Sequence, residues 1–506
     1  MTVKLPILGN QWTAGNIVLD TDLNDTLDYV HRGGLQLVAG ENLTAQNPAY
    51  ISILDHKLYI SHGYKKTEDV DNSFTVSTSE KIAKLSNTEM LFLTHSGSTL
   101  SVTLYNKSTE AQNTATVTTS FDTDSISTTL TGATVSRISN TAFVVFYVVT
   151  SNSSLYYRTG TVSGGTITMG TATQYTGNPN DVFGIDANPA DTDGKVVLVY
   201  QQKSLRKRTL SYLSVASNSV TVVYTATDTL SSGSYTVEPR WSQAMYTQGI
   251  AFGIFGTGDG NSTSTISYHT IKTDTGTTTT TIPIPLISIS TGAGVDWTPV
   301  YATIPYIVAH RGAVYFGYVI KKTDSGNASA QQTMTIFRLK PSSAEIFNQD
   351  KVIYIGNYSF TDRALNMIGN ESGILVQFRD FNKWAYIQNG KMFSVPTEIM
   401  AYVNWDNKPM GSYSNAEDEI VVSQLITNKF STIKLPTPIH GFIKSTASAS
   451  ANAMLMTKGQ MDVTSLVSDR MYYLKDGYTN TGELEQFGSI PVGHTISTSK
   501  LLLDLS

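Results

Sequence analysis

The sequence contains no cysteine. A disulfide framework and thiolate metal sites are therefore excluded, and a large secreted eukaryotic ectodomain is disfavoured. Since no covalent cross-link is available, we expect the fold to be held together by packing and by oligomerisation.

Charge is also scarce, because only 15% of the 506 residues are charged and the net charge is −5. This balance offers no electrostatic reason to expect nucleic acid or an anionic membrane as a partner. The basic cluster Arg206-Lys207-Arg208 is interpreted as a solvated hairpin turn in preference to an anion contact. We expect no nucleic-acid partner.

Long hydrophobic runs are missing as well. The longest apolar run, Ala142 to Val149, is far shorter than a membrane span, and the segment Met1 to Pro6 lacks the pattern of an export signal. We expect no membrane insertion and no Sec-dependent export, so that the protein is made in a cytoplasm in soluble form.

What the sequence does contain is short runs of Val, Ile, Tyr and Phe separated by Ser, Thr, Asn and Gly, a composition typical of strands joined by polar turns. From about residue 49 to 435 an apolar strand, a turn, a second strand, a turn and a third strand recur. The clearest copy begins at 141–149 and includes the turn Gly164-Gly165, where two-residue hairpins favour glycine. The pattern predicts an all-β protein.

The repeat has a measurable period. Intervals of 34, 53, 53, 55, 61, 61 and 46 residues separate the equivalent mid-strand positions Tyr59, Leu93, Phe146, Val199, Ile254, Tyr315, Val376 and Val422. This spacing fits one four-stranded propeller blade, with the most apolar strand buried on both faces and the following strand alternating. The short first interval favours seven blades over eight; tandem β-sandwiches are the competing architecture, and a β-helix is disfavoured because its rungs are shorter.

Different segments are predicted at the two ends. Leu23, Leu27 and Val30 follow Asp20-Thr21 at helical spacing and precede Gly33-Gly34, which indicates one short helix that must dock on another surface. We therefore divide the chain into an N-terminal segment, 1–42; a β-propeller, 43–444; a small-residue linker, 445–453; and a small C-terminal β module, 454–506.

The tail resembles a known class of module. It reads Lys458-Gly459, Val463-Thr-Ser-Leu466-Val467, Arg470-Met-Tyr472-Tyr473-Leu474, Gly482-Glu483, and Ile490-Pro-Val492-Gly493-His-Thr-Ile-Ser497 followed by Lys500-Leu-Leu-Leu503. This is similar to the small β modules that end many tail-fibre and other virion proteins of tailed phages. His494-Thr495 and Ser468-Asp469 depart from the small residues and the Pro-Gly that are usual there.

The segment 15–27 is similar, more loosely, to the attachment segments that open phage fibre and collar proteins. The resemblance implies a structural virion protein, a tail-fibre or receptor-binding component, made in the host cytoplasm. The implied partners are other virion proteins through the N-terminal segment, further copies of the chain in a homo-oligomer, and a glycan or protein of the host surface. A capsid-decorating or collar fibre is the first alternative.

Catalytic patterns are not found. The Ser-x-Asp-x-Gly-x-Thr-Trp boxes of sialidase-like propellers are absent, and Arg137, Arg240, Arg311 and Arg363 do not recur at one place in the repeat. We therefore interpret these arginines as surface or inter-blade hydrogen-bonding residues. The sequence also has no phosphate cradle and no Gly-x-Ser-x-Gly elbow. We expect no catalytic residue, and a propeller-type glycosidase is the second alternative.

Metal and cofactor sites are not predicted either. No i, i+4 pair or other ligand spacing occurs among the eight histidines: His31, His56, His62, His95, His269, His310, His440 and His494. The acidic segment Asp186 to Gly194 lacks the bidentate glutamate of a calcium loop and is interpreted as an ordinary turn. Four tryptophans are predicted to pack between blades in preference to stacking on sugars: Trp241, Trp297, Trp384 and Trp405.

Overall fold

Strands account for every regular element of the computed structural model, which places no helix among the residues it describes. The described residues are 34–51, 57–61, 65–66, 70–71, 79–86, 88–106, 109, 111–122, 132–151, 153–177, 179–190, 192–230, 238–258, 265–284, 289–290, 295–299, 306–310, 313–324, 327–346, 353–358, 365–369, 374–378, 383–388, 391–394, 412–414, 419–424, 429–434, 437, 440–456, 460–462, 471–474, 484–485, 491–497 and 500–503. The all-β prediction is confirmed. The predicted helix around Leu23 and Leu27 lies outside the described residues.

No helix that could cross a membrane is found in the part of the chain that the structure describes.

Five short strands open the described chain: β1 (Gly34–Val38), β2 (Pro48–Ile51), β3 (Leu58–Ile60), β4 (Lys65–Lys66) and β5 (Val70–Asp71). None of them starts a sheet of its own, because each pairs directly or through a neighbour with a strand from the other end of the chain.

Four antiparallel sheets of four main strands follow in chain order. Their strands are β6 (Ser79–Lys84), β7 (Glu89–Ser96), β8 (Thr99–Asn106) and β9 (Gln112–Thr118); β10 (Ala133–Ser139), β11 (Ala142–Val149), β12 (Ser154–Ser163) and β13 (Thr166–Met169), with β14 (Thr173–Gln174) beside β12; β15 (Val182–Pro189), β16 (Lys195–Gln202), β17 (Lys207–Ala216) and β18 (Ser219–Thr229); and β19 (Glu238–Thr247), β20 (Ile250–Gly258), β21 (Thr265–Lys272) and β22 (Thr278–Ile284).

Three more sheets complete the series. The fifth contains β23 (Ile289–Ser290), β24 (Val295–Pro299), β25 (Tyr306–His310), β26 (Ala313–Asp324), β27 (Asn327–Lys340), β28 (Ser343–Ile346) and β29 (Ile353–Tyr358); the sixth contains β30 (Leu365–Gly369), β31 (Ile374–Phe378), β32 (Lys383–Gln388) and β33 (Lys391–Ser394); the seventh contains β34 (Ser412–Ser414), β35 (Glu419–Gln424) and β36 (Lys429–Lys434). In the fifth sheet the long hairpin β26–β27 extends past the four-stranded core and pairs there with β24 and β29.

The sheets are arranged as a ring. The first main strand of one sheet contacts that of the next for β6 and β10, β10 and β15, β15 and β19, β19 and β25, and β25 and β30, and β34 contacts β6. Tandem β-sandwiches would give each sheet one facing partner, whereas β10, β15, β19 and β25 each contact a neighbour on both sides. The β-propeller prediction is confirmed; seven such sheets are found among the described residues, and the choice of seven blades over eight stays a prediction.

The ring is closed by strands from both ends of the propeller segment. The outer strand β36 of the last sheet pairs with β4 and β5, through Ile433↔Lys66 and Phe430↔Val70. The short strands β4 and β5 thus add to the sheet of β34, β35 and β36. This arrangement removes the free edge that an open series of blades would leave.

The predicted repeat positions fall at one place in the ring. The residues that lie in the second strand of their sheets are Leu93, Phe146, Val199, Ile254, Tyr315, Val376 and Val422. Tyr59 is the exception, since it lies in β3. The second strands of the second and third sheets, β11 and β16, are buried along almost their whole length. The predicted alternation in the third strand is wrong for β17, which is buried at most positions; alternation occurs in the outer strand β18.

Apolar cores fill the spaces between neighbouring sheets. Leu91 and Leu93 of the first sheet pack with Phe143 and Val145 of the second. The ring of Phe143 lies over Gly160 on the adjacent strand, where a Cβ atom would stand 2.2 Å from the ring carbon Cζ. A side chain at position 160 is therefore incompatible with the observed position of the ring.

We expect Gly160→Val to lower the free energy of unfolding by about 1–3 kcal/mol, because the Phe143 ring must leave its position in a close-packed core. Urea denaturation measures the change. Thr161→Val, at the exposed neighbouring position of the same strand, is the control and should change stability by no more than about 0.5 kcal/mol. Equal effects of the two substitutions would contradict the predicted clash.

A separate five-stranded sheet joins the two ends of the propeller segment. Its order is β1, β38 (Asn452–Met456), β37 (Gly441–Ile443), β2 and β3. The buried side chains of this sheet include Leu43 and Leu58 from the first part of the chain and Ile443 and Leu455 from the later part. Residues 34–60 and 441–456 therefore share one core.

The segment predicted as a linker, 445–453, is part of this sheet region and not a solvated tether. Leu43 and Ala447 exchange two backbone hydrogen bonds of 2.8 and 3.0 Å, and the Ser450 N–H donates to the Ala39 carbonyl at 2.7 Å. The small residues allow the backbones of these two segments to approach. The domain bounds drawn from the sequence stay a prediction, but residues 34–42 and 445–453 pair with each other.

The C-terminal residues form a further antiparallel sheet of five strands, in the order β39 (Gln460–Asp462), β43 (Lys500–Leu503), β42 (Pro491–Ser497), β40 (Met471–Leu474) and β41 (Leu484–Glu485). Three of its strands, β40, β42 and β43, fall on segments that carry the resemblance to phage modules, and the other quoted segments lie outside the described residues. The prediction of β structure in 454–506 is confirmed.

Candidate functional site

The inner strands are the first place to look for chemistry, because a propeller enzyme gathers its reactive groups near the central channel. Asp186 lies on the inner strand β15, and its side chain forms hydrogen bonds to two other sheets. Its Oδ2 accepts the backbone N–H of Ala244 on the next sheet at 2.8 Å, and its Oδ1 accepts the Thr134 hydroxyl of the previous sheet at 3.4 Å. Asp186 thus links three consecutive sheets.

Neighbouring polar groups extend the same network. Thr134 Oγ1 accepts the Ala187 N–H at 3.1 Å, and Asn188 Nδ2 donates to the Ala244 carbonyl at 2.6 Å. The interpretation of Asp186 and Asn188 as parts of a turn is wrong, since both lie within β15, where they alternate with the buried residues Ile185 and Ala187. Carboxylate and amide groups used in this way hold the inner strands together.

We expect Asp186→Ala to lower the free energy of unfolding by about 1–3 kcal/mol, because the Ala244 N–H loses its acceptor in a partly buried place. Chemical denaturation of the two proteins measures the loss. Asp193→Ala is the matched control: its carboxylate is mostly exposed, and the expected change is below about 1 kcal/mol. A change of the same size in both variants would contradict the structural role of Asp186.

Arg137 is the other inner-strand residue that spans three sheets. Its Nε donates to the Leu85 carbonyl at 3.1 Å, and its Nη2 donates to Asn140 and Asp193, each at 2.9 Å. This agrees with the interpretation of Arg137 as an inter-blade hydrogen-bonding residue. The side chains of Arg240, Arg311 and Arg363, and those of the four tryptophans, lie outside the described part of the structure, so their roles stay predictions.

The densest group of ionisable side chains lies farther out, between the sheets β15–β18 and β19–β22. Arg208 at the start of β17 is 2% exposed and forms a two-pronged ion pair with Asp228 on β18. The Arg208 Nε to Asp228 Oδ1 distance is 2.8 Å. Across the interface, Arg208 Nη1 donates to the Ser267 hydroxyl at 2.5 Å. The Arg208 guanidinium thus donates hydrogen bonds to Asp228 of its own sheet and to Ser267 of the next sheet.

His269 and Thr281 of the second sheet complete this group, which we call the buried ion cluster. His269 Nε2 lies 3.3 Å from Asp228 Oδ1, and the Thr281 hydroxyl donates to Asp228 Oδ2 at 2.5 Å. The ring of Phe255 covers one side, with its centroid 4.7 Å from that of His269 and 5.8 Å from Arg208 Cζ. Each partner of Asp228 therefore comes from a different strand.

The electrostatics of the cluster favour the ionised carboxylate. Burial by itself would raise the pKa of Asp228, but the hydrogen bonds from His269, Arg208 and Thr281 and the charge of Arg208 outweigh it and hold the pKa well below its usual range. Because His269 is 0% exposed, no substrate can reach its imidazole. The cluster thus joins two blades.

The solvated-turn interpretation of Arg206-Lys207-Arg208 is wrong for Arg208. The turn ends at Arg206, and Arg208 is already inside the strand β17, turned toward the inter-blade core. The charged residue Asp228 in the otherwise neutral strand Ser219–Thr229 is the sequence signal that could have indicated a buried ion pair.

Metal ligands are not gathered in the described residues, where no group of three His, Asp or Glu side chains could hold an ion. His440 Nδ1 accepts the backbone N–H of Ile51 at 2.8 Å, and His95 packs against Phe121 with ring centroids 5.7 Å apart. The contacts of these two histidines therefore stabilise the fold.

Comparisons with known proteins were made by sequence and by structure. No protein-family model matches the sequence, and no curated protein matches it. The strand order and the contacts between sheets define the class of this protein as a β-propeller with a flanking sheet and a C-terminal β module.

Several solved structures are similar in outline. Hydrazine synthase of Kuenenia stuttgartiensis has a TM-score of 0.43 at 10% identity, covering 72% of this chain and 97% of its own. The Dos1 propeller has a TM-score of 0.36 at 10% identity, covering 75% and 97%. An oligogalacturonate lyase in complex with manganese has a TM-score of 0.38 at 10% identity, covering 79% and 99%. Likenesses of this strength carry no conclusion about activity.

Proposed function

We propose that this chain is a non-enzymatic structural protein of a tailed-phage virion, a tail-fibre or receptor-binding component that mediates attachment to the host surface. The observation that carries the proposal is the resemblance of the C-terminal sequence to phage terminal modules; β40, β42 and β43, which cover parts of that resemblance, belong to one antiparallel sheet. The chain thus combines a closed ring with a small terminal β module, two structures suited to the display of binding surfaces.

The use of the polar groups supports a binding role. Hydrogen bonds to neighbouring blades are formed by Asp186, Arg137 and the buried ion cluster. These bonds make the ring rigid. A rigid ring presents its loops in fixed positions, and such preorganisation lowers the entropic cost of binding. The N-terminal segment 1–42 would contact other virion proteins, and several copies would assemble as a homo-oligomer.

The experiment is to locate the chain on particles with labelled antibodies against the propeller. Labelling of the tail supports the proposal, whereas labelling of the head or neck supports the alternative of a capsid-decorating or collar fibre. Particles without label would overturn both. In addition, the purified chain should compete with particles for adsorption to host cells if it binds the receptor, and failure to compete would remove the receptor-binding part.

An enzyme acting on host polysaccharide, of the propeller-glycosidase kind, is the second alternative. Polysaccharide lyases are among the structures of similar outline, but with TM-scores below 0.5 they do not argue for it. An assay for newly formed reducing ends or unsaturated sugars on host polysaccharide separates the two roles. Product formation by the purified protein would overturn the non-enzymatic proposal.

A further inference from the structure

The chain passes between the three parts of the molecule through one small sheet. This flanking sheet consists of β1, β38, β37, β2 and β3. It receives the chain from the N-terminal segment at Gly34 and passes it on to the ring after Ile60. It receives the chain again at Gly441 and releases it toward the C-terminal module after Met456. The positions of these four residues therefore determine where the three parts join.

The entry from the N-terminal segment and the exit to the C-terminal module lie side by side. Gly34 and Met456 are register partners on β1 and β38. On the other edge of β38, Met456 is also the register partner of Phe442, which lies in β37 where the chain returns from the ring. Phe442 pairs in turn with Pro48, whose carbonyl accepts the Ser61 N–H at 2.8 Å. One row across five strands thus contains all four passages.

The flanking sheet closes on itself, which fixes the geometry of this row. Ala39, just after β1, forms a parallel bridge to Leu58 of β3, and the Gly40 N–H donates to the Leu58 carbonyl at 2.8 Å. Glu41 Oε1 accepts the Ile60 N–H at 2.7 Å. Since the first and last strands of the sheet meet, the strands hold one another in place and the passages cannot move apart independently.

The C-terminal module is tied closely to the same row. Its first described strand, β39, begins at Gln460, four positions after Met456. An extended chain advances by at most about 3.6 Å per residue, so β39 begins within about 15 Å of Met456. The module therefore begins near the point where the N-terminal segment joins the sheet.

The ring, in contrast, extends away from this point. It is closed at the seam, the sheet of β34–β36 to which β4 and β5 are added. The sheets β15–β18 and β19–β22 lie three places from the seam in the two directions around the ring. Because both chain passages into the ring leave from the seam, these two blades are the part of the propeller farthest from the junction with the N-terminal segment.

We propose that the C-terminal module belongs to the virion-facing base of the molecule, where it contacts virion proteins together with the N-terminal segment, and that the propeller faces the host. If the N-terminal segment holds the chain on the particle, its junction at Gly34 lies on the particle side, and Met456 lies beside it. The module is then not a distal tip carried beyond the ring. This inference rests on the proposed attachment function and assigns host contact to the propeller.

The test uses the absence of cysteine from the chain. Three full-length variants each carry one cysteine: Ser497→Cys at the end of β42 in the module, and Ser204→Cys and Thr275→Cys on exposed turns of the two far blades. Particles assembled with each variant are treated with a large maleimide-polyethylene glycol, and the reaction of this chain is followed by its shift on a denaturing gel. The same variant in purified form gives the reference rate.

Ser497→Cys should react at least about tenfold more slowly in intact particles than in the purified chain, because a protein interface excludes the polymer. Dissociation of the particles should restore its reaction. Ser204→Cys and Thr275→Cys are the matched controls and should react at nearly the same rate in both forms. Each variant is compared with itself, so an effect of the substitution on intrinsic reactivity cancels.

A second measurement does not need the variants to assemble into particles. The purified full chain with polymer attached at Ser497→Cys should compete with particles for adsorption to host cells as well as the unmodified chain does. Polymer attached to the double variant Ser204→Cys with Thr275→Cys should abolish this competition, because it keeps the far blades away from the host surface.

Two results would overturn the inference: a Ser497→Cys chain that reacts in intact particles as fast as in purified form, or competition that is lost with polymer at position 497 and retained with polymer at positions 204 and 275. Failure of the proposed function has a different signature, since particles would then show no gel band of this chain.

Discussion

Asp228→Asn is expected to lower the free energy of unfolding by about 3–5 kcal/mol. Arg208 is 2% exposed and has its two-pronged partner in Asp228, so the substitution leaves a buried cation without a counter-charge. Urea denaturation followed by tryptophan fluorescence measures the loss.

The control for this expectation is the double variant Arg208→Met with Asp228→Asn. Removal of both charges takes away the unpaired ion, and the double variant should be more stable than Asp228→Asn alone. A loss below about 1 kcal/mol in the single variant, or no recovery in the double variant, would show that the ion pair does not hold the two blades together.

The same pair predicts how stability depends on pH. The pKa of Asp228 is lower in the folded chain than the ordinary value of about 3.9 that an unfolded chain has. Its contribution is therefore complete above about pH 4 and is lost as the pH falls below that value, because the unfolded state takes up the proton first. Asp228→Asn should flatten the acid side of the stability profile; an unchanged profile would contradict the assignment.

Leu455→Ala is expected to lower the free energy of unfolding of the flanking sheet by about 2–5 kcal/mol. Leu455 is fully buried between Leu43 and Ile443, which belong to the two ends of the propeller segment. Loss of this core should release the pairing of β1 with β38. Limited proteolysis should then cut within 441–456 faster than in the unaltered chain.

Asn452→Ala provides the comparison, because Asn452 is exposed on the same strand β38. It should leave both the denaturation midpoint and the cleavage rate nearly unchanged. Rapid cleavage of 445–453 in the unaltered chain would instead support the earlier interpretation of this stretch as a linker.

The ring was predictable because its main signal is local. A second strand lies between two neighbouring blades, so Phe146 and Val199 need apolar neighbours on both faces, and the run of such residues appears directly in the sequence. The turn at Gly164-Gly165 was equally visible, since both residues have positive φ there. Periodic strands and glycine turns together predict blades.

The partners of polar residues were not predictable in the same way. The basic neighbours of Arg208 predict a turn, but its partner Asp228 lies twenty positions later and Ser267 lies in another blade. Four polar residues close together predict an acidic turn at Asp186, whereas its hydrogen-bond partners lie 52 and 58 positions away. In each case the side chain is buried by an element distant in the chain.

The amino-acid sequence by itself determined the all-β class, the period of the ring and the β character of the C-terminal segment. Strands buried on both faces and tight turns can each be recognised from a few consecutive residues. Only the tertiary structure decided that β1 and β2 pair with β38 and β37, and that Arg208 is buried against Asp228. Contacts of this kind depend on which surfaces meet when the ring closes, and that information is spread over hundreds of residues.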